Sequence, residues 1–277
     1  MEFAYCRTYR GPVKMVIFDW AGTTVDYGCY APAVVFIEVF KRYGVEITME
    51  QARAPMGLQK AEHIRAISCG DEVAERWRKV HGRPCSDSDV TEMFEKHFAP
   101  LQIKCIGDYA GIIPGTVETT NELKKRGIKI GSSSGYFTEA MEINFERARQ
   151  QGYVPDTNSW ATRVPYGRPE PWMVFDNMAQ ARVYPSEAVV KVGDTKPDIS
   201  EGLNAGTWTI GLSKTGNEVG LNEKELAALP EAVVRQKIAK ATDSLAKMGA
   251  HYVVETIGDI VPIIEEIEQR LEWGDRP

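Results

Sequence analysis

The chain has 277 residues, 43% of them hydrophobic and 26% charged, which supports a sizeable core and excludes a disordered chain. Its net charge of −6 gives no general attraction for nucleic acid or an anionic membrane, so an anionic substrate needs locally placed cations. Cys6, Cys29, Cys69, Cys85 and Cys105 show no CxxC spacing. They point to a reduced, cytoplasmic protein. The first apolar run is too short for a signal peptide, and no stretch is long enough to span a bilayer.

In chain order, Val13 to Phe18 reads as a buried strand and Ala31 to Tyr43 as a helix ended near Gly44. Thr48 with Gln51 forms a capping-box pattern for a short helix. Gln59 to Ser68, Asp71 to His81 and Ser86 to Phe98 continue as helices, and nothing between Gly28 and Ile106 resembles a strand. After Asp108 helices and strands alternate. Helices are expected at Pro114–Arg126, Thr138–Gln151, Pro169–Ala181, Asp198–Ala205, Pro230–Met248 and Ile260–Trp273. Strands are expected at Ile128–Ser132, Ala188–Val192, Thr207–Gly211 and His251–Val254. Ser213 to Glu223 reads as a surface loop. This rhythm predicts an α/β protein with a Rossmann-like parallel-sheet core at 1–27 and 107–277, and a helical insertion at 28–106.

Four segments carry chemistry. Asp19 follows the first strand in Phe18-Asp19-Trp20-Ala21-Gly22-Thr23-Thr24-Val25-Asp26, and Ser132-Ser133-Ser134-Gly135 follows the second. Arg168 precedes a helix in Tyr166-Gly167-Arg168-Pro169. Gly193-Asp194-Thr195-Lys196-Pro197-Asp198 follows a later strand. In order and spacing the set resembles the haloacid dehalogenase (HAD) superfamily: nucleophilic Asp, phosphate-binding Ser/Thr, cationic Lys/Arg and an acidic metal pair. The resemblance implies a HAD-type core with an inserted cap. It makes Asp19 a nucleophile toward phosphorus. Asp19, Asp194 and Asp198, with the Ala21 carbonyl, would hold one Mg²⁺ per subunit. The resemblance further implies that Trp20, Ser134 and the Gly135 N–H bind phosphoryl oxygens, that Arg168 neutralises them, and that Thr23 orients Asp19.

One position departs from the superfamily pattern. Ala21 stands where HAD phosphatases carry a second Asp that protonates a departing alkoxide, and a methyl group cannot do this. A carbon leaving group needs no such acid, but it needs an electron sink, which a lysine imine supplies. The helical insertion holds Met56-Gly57-Leu58-Gln59-Lys60-Ala61-Glu62-His63. With the Asp19 motif, and with Gly135-Tyr136 and Gly167-Arg168-Pro169-Glu170-Pro171-Trp172-Met173, it resembles the phosphonoacetaldehyde hydrolase (phosphonatase) family from Lys14 to about Ala205.

That resemblance implies hydrolysis of the C–P bond of phosphonoacetaldehyde, in 2-aminoethylphosphonate degradation, with Lys60 as the Schiff-base lysine. Met56, His63, Cys29 and Tyr136 match family positions around the imine. His63, at i+3 from Lys60, is expected to help move protons. A homodimer with no nucleic-acid or membrane partner is implied. The alternatives are another HAD hydrolase, a phosphatase or haloacid dehalogenase, or a catalytically silent binding protein. His81, His97 and Lys196 are expected to be solvated.

Overall fold

The computed structural model describes residues 8–277, so Cys6 lies outside the described residues. The first strand, β1 (Met15–Phe18), is buried at every position, as befits a parallel strand covered on both faces. Five more strands join it: β2 (Lys129–Ser134), β3 (Thr157–Trp160), β4 (Val189–Gly193), β5 (Trp208–Leu212) and β6 (Tyr252–Val254). All pairs are parallel, in the order β3-β2-β1-β4-β5-β6. Phe18 pairs with both Ser132 and Val192, so the residues that follow β1, β2 and β4 emerge at one edge. The strand order reverses at β1, and the crevice beyond such a switch point is where α/β sheets bind ligands.

Six α-helices intervene between β1 and the rest of the sheet: α1 (Tyr30–Arg42), α2 (Met49–Arg53), α3 (Lys60–Cys69), α4 (Asp71–His81), α5 (Asp87–Glu92) and α6 (Ala99–Tyr109). The chain enters them through a tight turn in which Asp26, Gly28 and Cys29 all have positive φ. The Asp26 carboxylate accepts from the Tyr30 and Ala31 N–H groups at 3.0 and 2.9 Å. These are orphan donors of the first helical turn. The Thr48–Gln51 capping box forms as expected. Phe36, Trp77 and Phe98 of the inserted helices join Phe18, Ile130, Val190 and Ile210 of the sheet in one apolar cluster.

The remaining helices cover the sheet: α7 (Thr116–Lys125), α8 (Thr138–Gln150), α9 (Trp172–Ala181), α10 (Lys196–Asn204), α11 (Glu223–Ala227), α12 (Glu231–Lys247) and α13 (Ile260–Trp273). Three features correct the sequence reading. β3, with the polar run Thr-Asn-Ser-Trp, is an edge strand and shows no apolar signature. α6 is a helix the sequence reading lacked; it follows a π-helical turn at Met93–Phe98, runs past residue 106, and has Pro100 in its first turn where proline is tolerated. The segment from Ser213 is not a surface loop. Ser213, Thr215, Asn217 and Val219 are buried, because the chain folds back over the carboxyl edge of the sheet. The polar composition that suggested solvent instead supplies hydrogen bonds to the site.

Candidate active site

Asp19, Ala21, Cys29, Met56, Lys60, Ser134, Gly135, Tyr136 and Arg168 line one cavity, together with Pro32, Gly57 and Thr195. It lies between the carboxyl edge of the sheet and the inserted helices. It is closed down to about 20 Å³, room for about one water molecule. The walls meet without slack. A Cβ on Gly57 would lie 2.3 Å from Thr195 Oγ1, and one on Gly135 would lie 2.6 Å from the Leu58 carbonyl oxygen.

Lys60, at the first position of α3, is 5% exposed. Its Nζ lies 4.5 Å from the centroid of the Tyr136 ring. Burial lowers its pKa to about 8, with help from the Arg168 charge and against the opposing pull of Asp19 and Asp26. At pH 7 about a tenth of this amine is unprotonated, a far larger share than for a free lysine. Cys29 is fully buried, and burial, then the charges of Asp194 and Asp26, raise its pKa well above the usual value. It is a neutral thiol in the wall beside Met56.

Asp19 is held by Arg168, whose Nη2 lies 2.8 Å from Oδ1. Burial raises the Asp19 pKa to about 6, as does the charge of Asp198, while Arg168 and Lys191 oppose the rise. The same guanidinium reaches Asp198 through Nη1 at 3.0 Å and Glu201 through Nε at 3.0 Å, and donates to the Ser133 carbonyl and hydroxyl at 2.9 and 2.8 Å. Lys191, inside β4, is 0% exposed and lies 2.6 Å from Asp198. Lys191 and Glu201 escaped the sequence reading, in which Ser133 stands within its motif without a role. Only Lys191 left a signal, as a cation in the middle of an apolar strand.

The acidic residues form a tight group: oxygen atoms of Asp19, Asp194 and Asp198 lie within 4.8 Å of one another, all buried. Burial and the charges of Asp19 and Asp198 drive the Asp194 pKa well up. This crowding of hard oxygen donors suits a divalent cation. The three carboxylates are not equivalent. Asp198 Oδ1 is engaged by Lys191 and Arg168, and its Oδ2 accepts from the Thr195 N–H and hydroxyl at 3.2 and 2.5 Å. Those cations outweigh burial and hold its pKa down. Asp198 anchors the cationic pair, which leaves Asp19, Asp194 and the Ala21 carbonyl as the freer donors.

Thr23, Trp20 and His63 stand differently from their expected roles. The Thr23 hydroxyl donates to Asp194 Oδ1 at 3.0 Å and so orients Asp194 instead of Asp19. Thr24 is the residue that binds the Asp19 backbone carbonyl, at 2.9 Å. The Trp20 side chain is fully buried against Phe145 and Tyr153, away from the cavity. His63 is 0% exposed and does not line the cavity. It stacks on Phe36 at 3.8 Å and its Nε2–H donates to the Ala52 carbonyl at 2.8 Å, while Nδ1 has no partner among the described residues. Burial, then the Lys60 charge, lower its pKa well below the ordinary value, so the ring is neutral. Lys196 and His81 are exposed and His97 partly so.

An aspartate at the first strand, a hydroxyl at the second, a buried cation and an acidic pair define a haloacid dehalogenase-like hydrolase, and the family model of that description matches residues 13–206. A phosphonoacetaldehyde hydrolase of Syntrophobacter fumaroxidans is 47% identical over 99% of both chains. One from Bacillus cereus strain B4264 is 43% identical over 93% of this chain and 97% of that one. Among solved structures, a phosphonoacetaldehyde hydrolase-like protein from Oleispira antarctica superposes with a TM-score of 0.97 at 36% identity, over 100% of both chains. The chain belongs to the haloacid dehalogenase-like hydrolases and, within them, to the phosphonoacetaldehyde hydrolase family. A β-phosphoglucomutase from Clostridium difficile, at 16% identity and a TM-score of 0.66, shares the fold.

Proposed function

We propose that the protein hydrolyses phosphonoacetaldehyde to acetaldehyde and phosphate, through an imine on Lys60 and a phosphoryl ester on Asp19. The observation that carries this reading is a buried amine of lowered basicity in the same closed cavity as Asp19, with a methyl group, Ala21, in place of an acid. The named activity of the relatives supports the same substrate.

The Lys60 amine attacks the aldehyde carbon and, after loss of water, forms an iminium ion. His63, three residues along α3, is neutral and lies outside the cavity lining, and it supports the Lys60 helix through the Ala52 carbonyl instead of taking a proton. Asp19, aimed by Arg168, attacks phosphorus in line. The C–P electron pair moves into the iminium and leaves as an enamine, so no proton has to be delivered to the leaving atom. Ser134 and the Gly135 N–H take phosphoryl oxygens, and the Arg168 charge lowers the repulsion between Asp19 and the phosphonate. Water then cleaves the aspartyl phosphate. Protonation of the enamine carbon and hydrolysis of the imine release acetaldehyde. Tyr136, Met56 and Cys29 wall the cavity beside Lys60, whose burial makes its proton easier to lose. Mg²⁺, one per subunit, held by Asp19, Asp194 and the Ala21 carbonyl with Asp198 behind them, would supply charge screening between nucleophile and phosphonate.

Residues 28–106 serve as a cap over a core of 1–27 and 107–277, because Lys60 and Asp19 come from opposite sides of the cavity and must meet. The four cysteines among the described residues are free, which supports a reducing, cytoplasmic setting. No helix among the described residues is long and apolar enough to cross a membrane. The kinship supports a homodimer. Borohydride reduction in the presence of phosphonoacetaldehyde, followed by peptide mass spectrometry, tests the reading. Label is expected on Lys60, with phosphate release abolished by EDTA. Label on another lysine, or undiminished phosphate release from Lys60→Arg, would overturn it.

A further inference from the structure

The buried segment after β5 makes contacts that the catalytic reading does not use. The Asn217 backbone N–H donates to Asp194 Oδ2 at 2.7 Å. The Asn217 side chain is paired both ways with Arg53 of α2: Arg53 Nη1 donates to Oδ1 at 3.2 Å, and Asn217 Nδ2 donates to the Arg53 carbonyl at 3.3 Å. The same Nη1 donates to the carbonyls of Gly28 and Cys29 at 2.7 and 3.3 Å, at the turn where the chain enters the inserted helices. Thr215 closes the arrangement. Its hydroxyl donates to the Gly22 carbonyl and its own carbonyl accepts from the Gly28 N–H, both at 2.8 Å. Arg53 and Asn217 are both nine-tenths buried.

One guanidinium thus touches the entry turn, the inserted helix that carries it, and the core segment that orients Asp194. We infer that Arg53 and Asn217 form a latch that couples seating of the inserted helices to the position of the Asp194 carboxylate. They are positioning residues, acting through Asp194. The physical case is one of packing and hydrogen bonding. Gly216 and Gly22 sandwich Asp194, since a Cβ on Gly216 would lie 2.2 Å from its Cβ and one on Gly22 would lie 2.4 Å from its Oδ2. The carboxylate therefore cannot shift without the 216–217 backbone. Among the described residues, the hydrogen bonds that tie that backbone to α2 run through the Asn217 side chain and Arg53. When α2 leaves, the tie breaks and Asp194 loses a fixed donor. Linkage demands the converse: a cation at Asp194 favours the seated helices by the same factor.

This inference rests on Asp194 belonging to the cation site, and the test separates the two. Mg²⁺ binding without substrate is measured by titration calorimetry for the wild type, Arg53→Met, Asn217→Ala, the double variant, Arg53→Lys and Asp194→Ala. Arg53→Met retains an apolar stem and removes the guanidinium, whose Cζ lies 5.0 Å from the Tyr30 ring centroid, so a folded variant without the latch donors is available for the argument. Each latch variant is expected to bind Mg²⁺ roughly tenfold more weakly, and the double variant no more weakly than either single one. Arg53→Lys, which retains donors, recovers part of the loss. Hydrogen exchange gives the reciprocal readout: Mg²⁺ slows exchange in α2 and α3 of the wild type and has no such effect in the latch variants. Loss of binding in Asp194→Ala with unchanged affinity in the latch variants would overturn the latch alone. So would additive losses in the double variant. Unchanged affinity in Asp194→Ala would overturn the cation assignment beneath it.

Discussion

Lys60 is an expensive residue to bury, and its energetics can be separated from its chemistry. The free side chain holds its proton up to about 10.5 and the buried one only to about 8. Between those values the unfolded state binds more protons, so stability rises with pH across that window, and the full penalty applies below it. The difference corresponds to about 3 kcal/mol. We expect Lys60→Met to abolish turnover yet raise unfolding free energy by about that amount at pH 7, with the gap closing toward pH 10. Urea unfolding at both pH values checks this, and equal stabilities at pH 7 would refute the buried-charge account. The same lowered pKa predicts that wild-type kcat/KM climbs from pH 6 to about 8 and then levels, because the free amine is the attacking species. Ala21 carries the complementary argument. Ala21→Asp would place a carboxylate beside Lys60 and Asp19, stabilise the ammonium and repel the phosphonate. C–P cleavage should fall at least tenfold, while hydrolysis of a phosphate monoester gains slightly. Faster C–P cleavage in the variant would show that the missing acid has another explanation.

Elements differ in how openly the sequence announces them. The strands that end at the site could be read because they are short apolar runs bounded by Asp, Ser-Gly or Gly-Asp. The helix beginning at Lys60 and the closing helix Ile260–Trp273 carry helical spacing of apolar residues. β3 escaped because an edge strand buries only alternate residues of a polar run. The 213–221 segment was misread for a related reason. Its Ser, Thr, Gly and Asn residues suit a solvated turn, yet here they satisfy buried partners, and only the fold shows which partners exist. Asp19, Lys60, Ser134 and Arg168 were readable as motifs. Glu201 was not, since one acid on a helix has no local signature, and Thr23 was assigned to the wrong carboxylate because Asp194 is distant in sequence. The misread segment yields its own test. Gly216 does not adopt the left-handed φ that side chains avoid, so Gly216→Ala adds only a methyl group, and that methyl collides with Asp194. Turnover should drop by roughly 100-fold with a higher Mg²⁺ requirement, as expected when a positioned group moves by about 1 Å. Near wild-type kinetics in this variant would mean that Asp194 has freedom the packing denies it.

At the scale of the whole molecule, the site exists only where two bodies of chain meet. The core contributes Asp19, Ser134, Arg168 and Asp194; the inserted helices contribute Lys60 and Met56. They approach tightly at Gly57, where φ is +97° and an added Cβ would lie 2.3 Å from Thr195 Oγ1. Gly82, at the end of α4, offers a matched control: φ is +70° and nothing lies within 4 Å of an added Cβ. Alanine at either position carries the same kind of backbone penalty, about 1 kcal/mol. Only Gly57→Ala wedges the inserted helices away from the β4–α10 loop. Gly82→Ala should therefore lose a little thermal stability and keep its kcat/KM. Gly57→Ala should melt at a similar temperature yet lose C–P cleavage by about 100-fold or more, since Lys60 and Asp19 no longer reach one substrate. Melting curves and steady-state kinetics of the two variants, measured side by side, decide the matter. If both lose activity equally, the defect is general backbone strain; if neither does, catalysis does not require the closed arrangement.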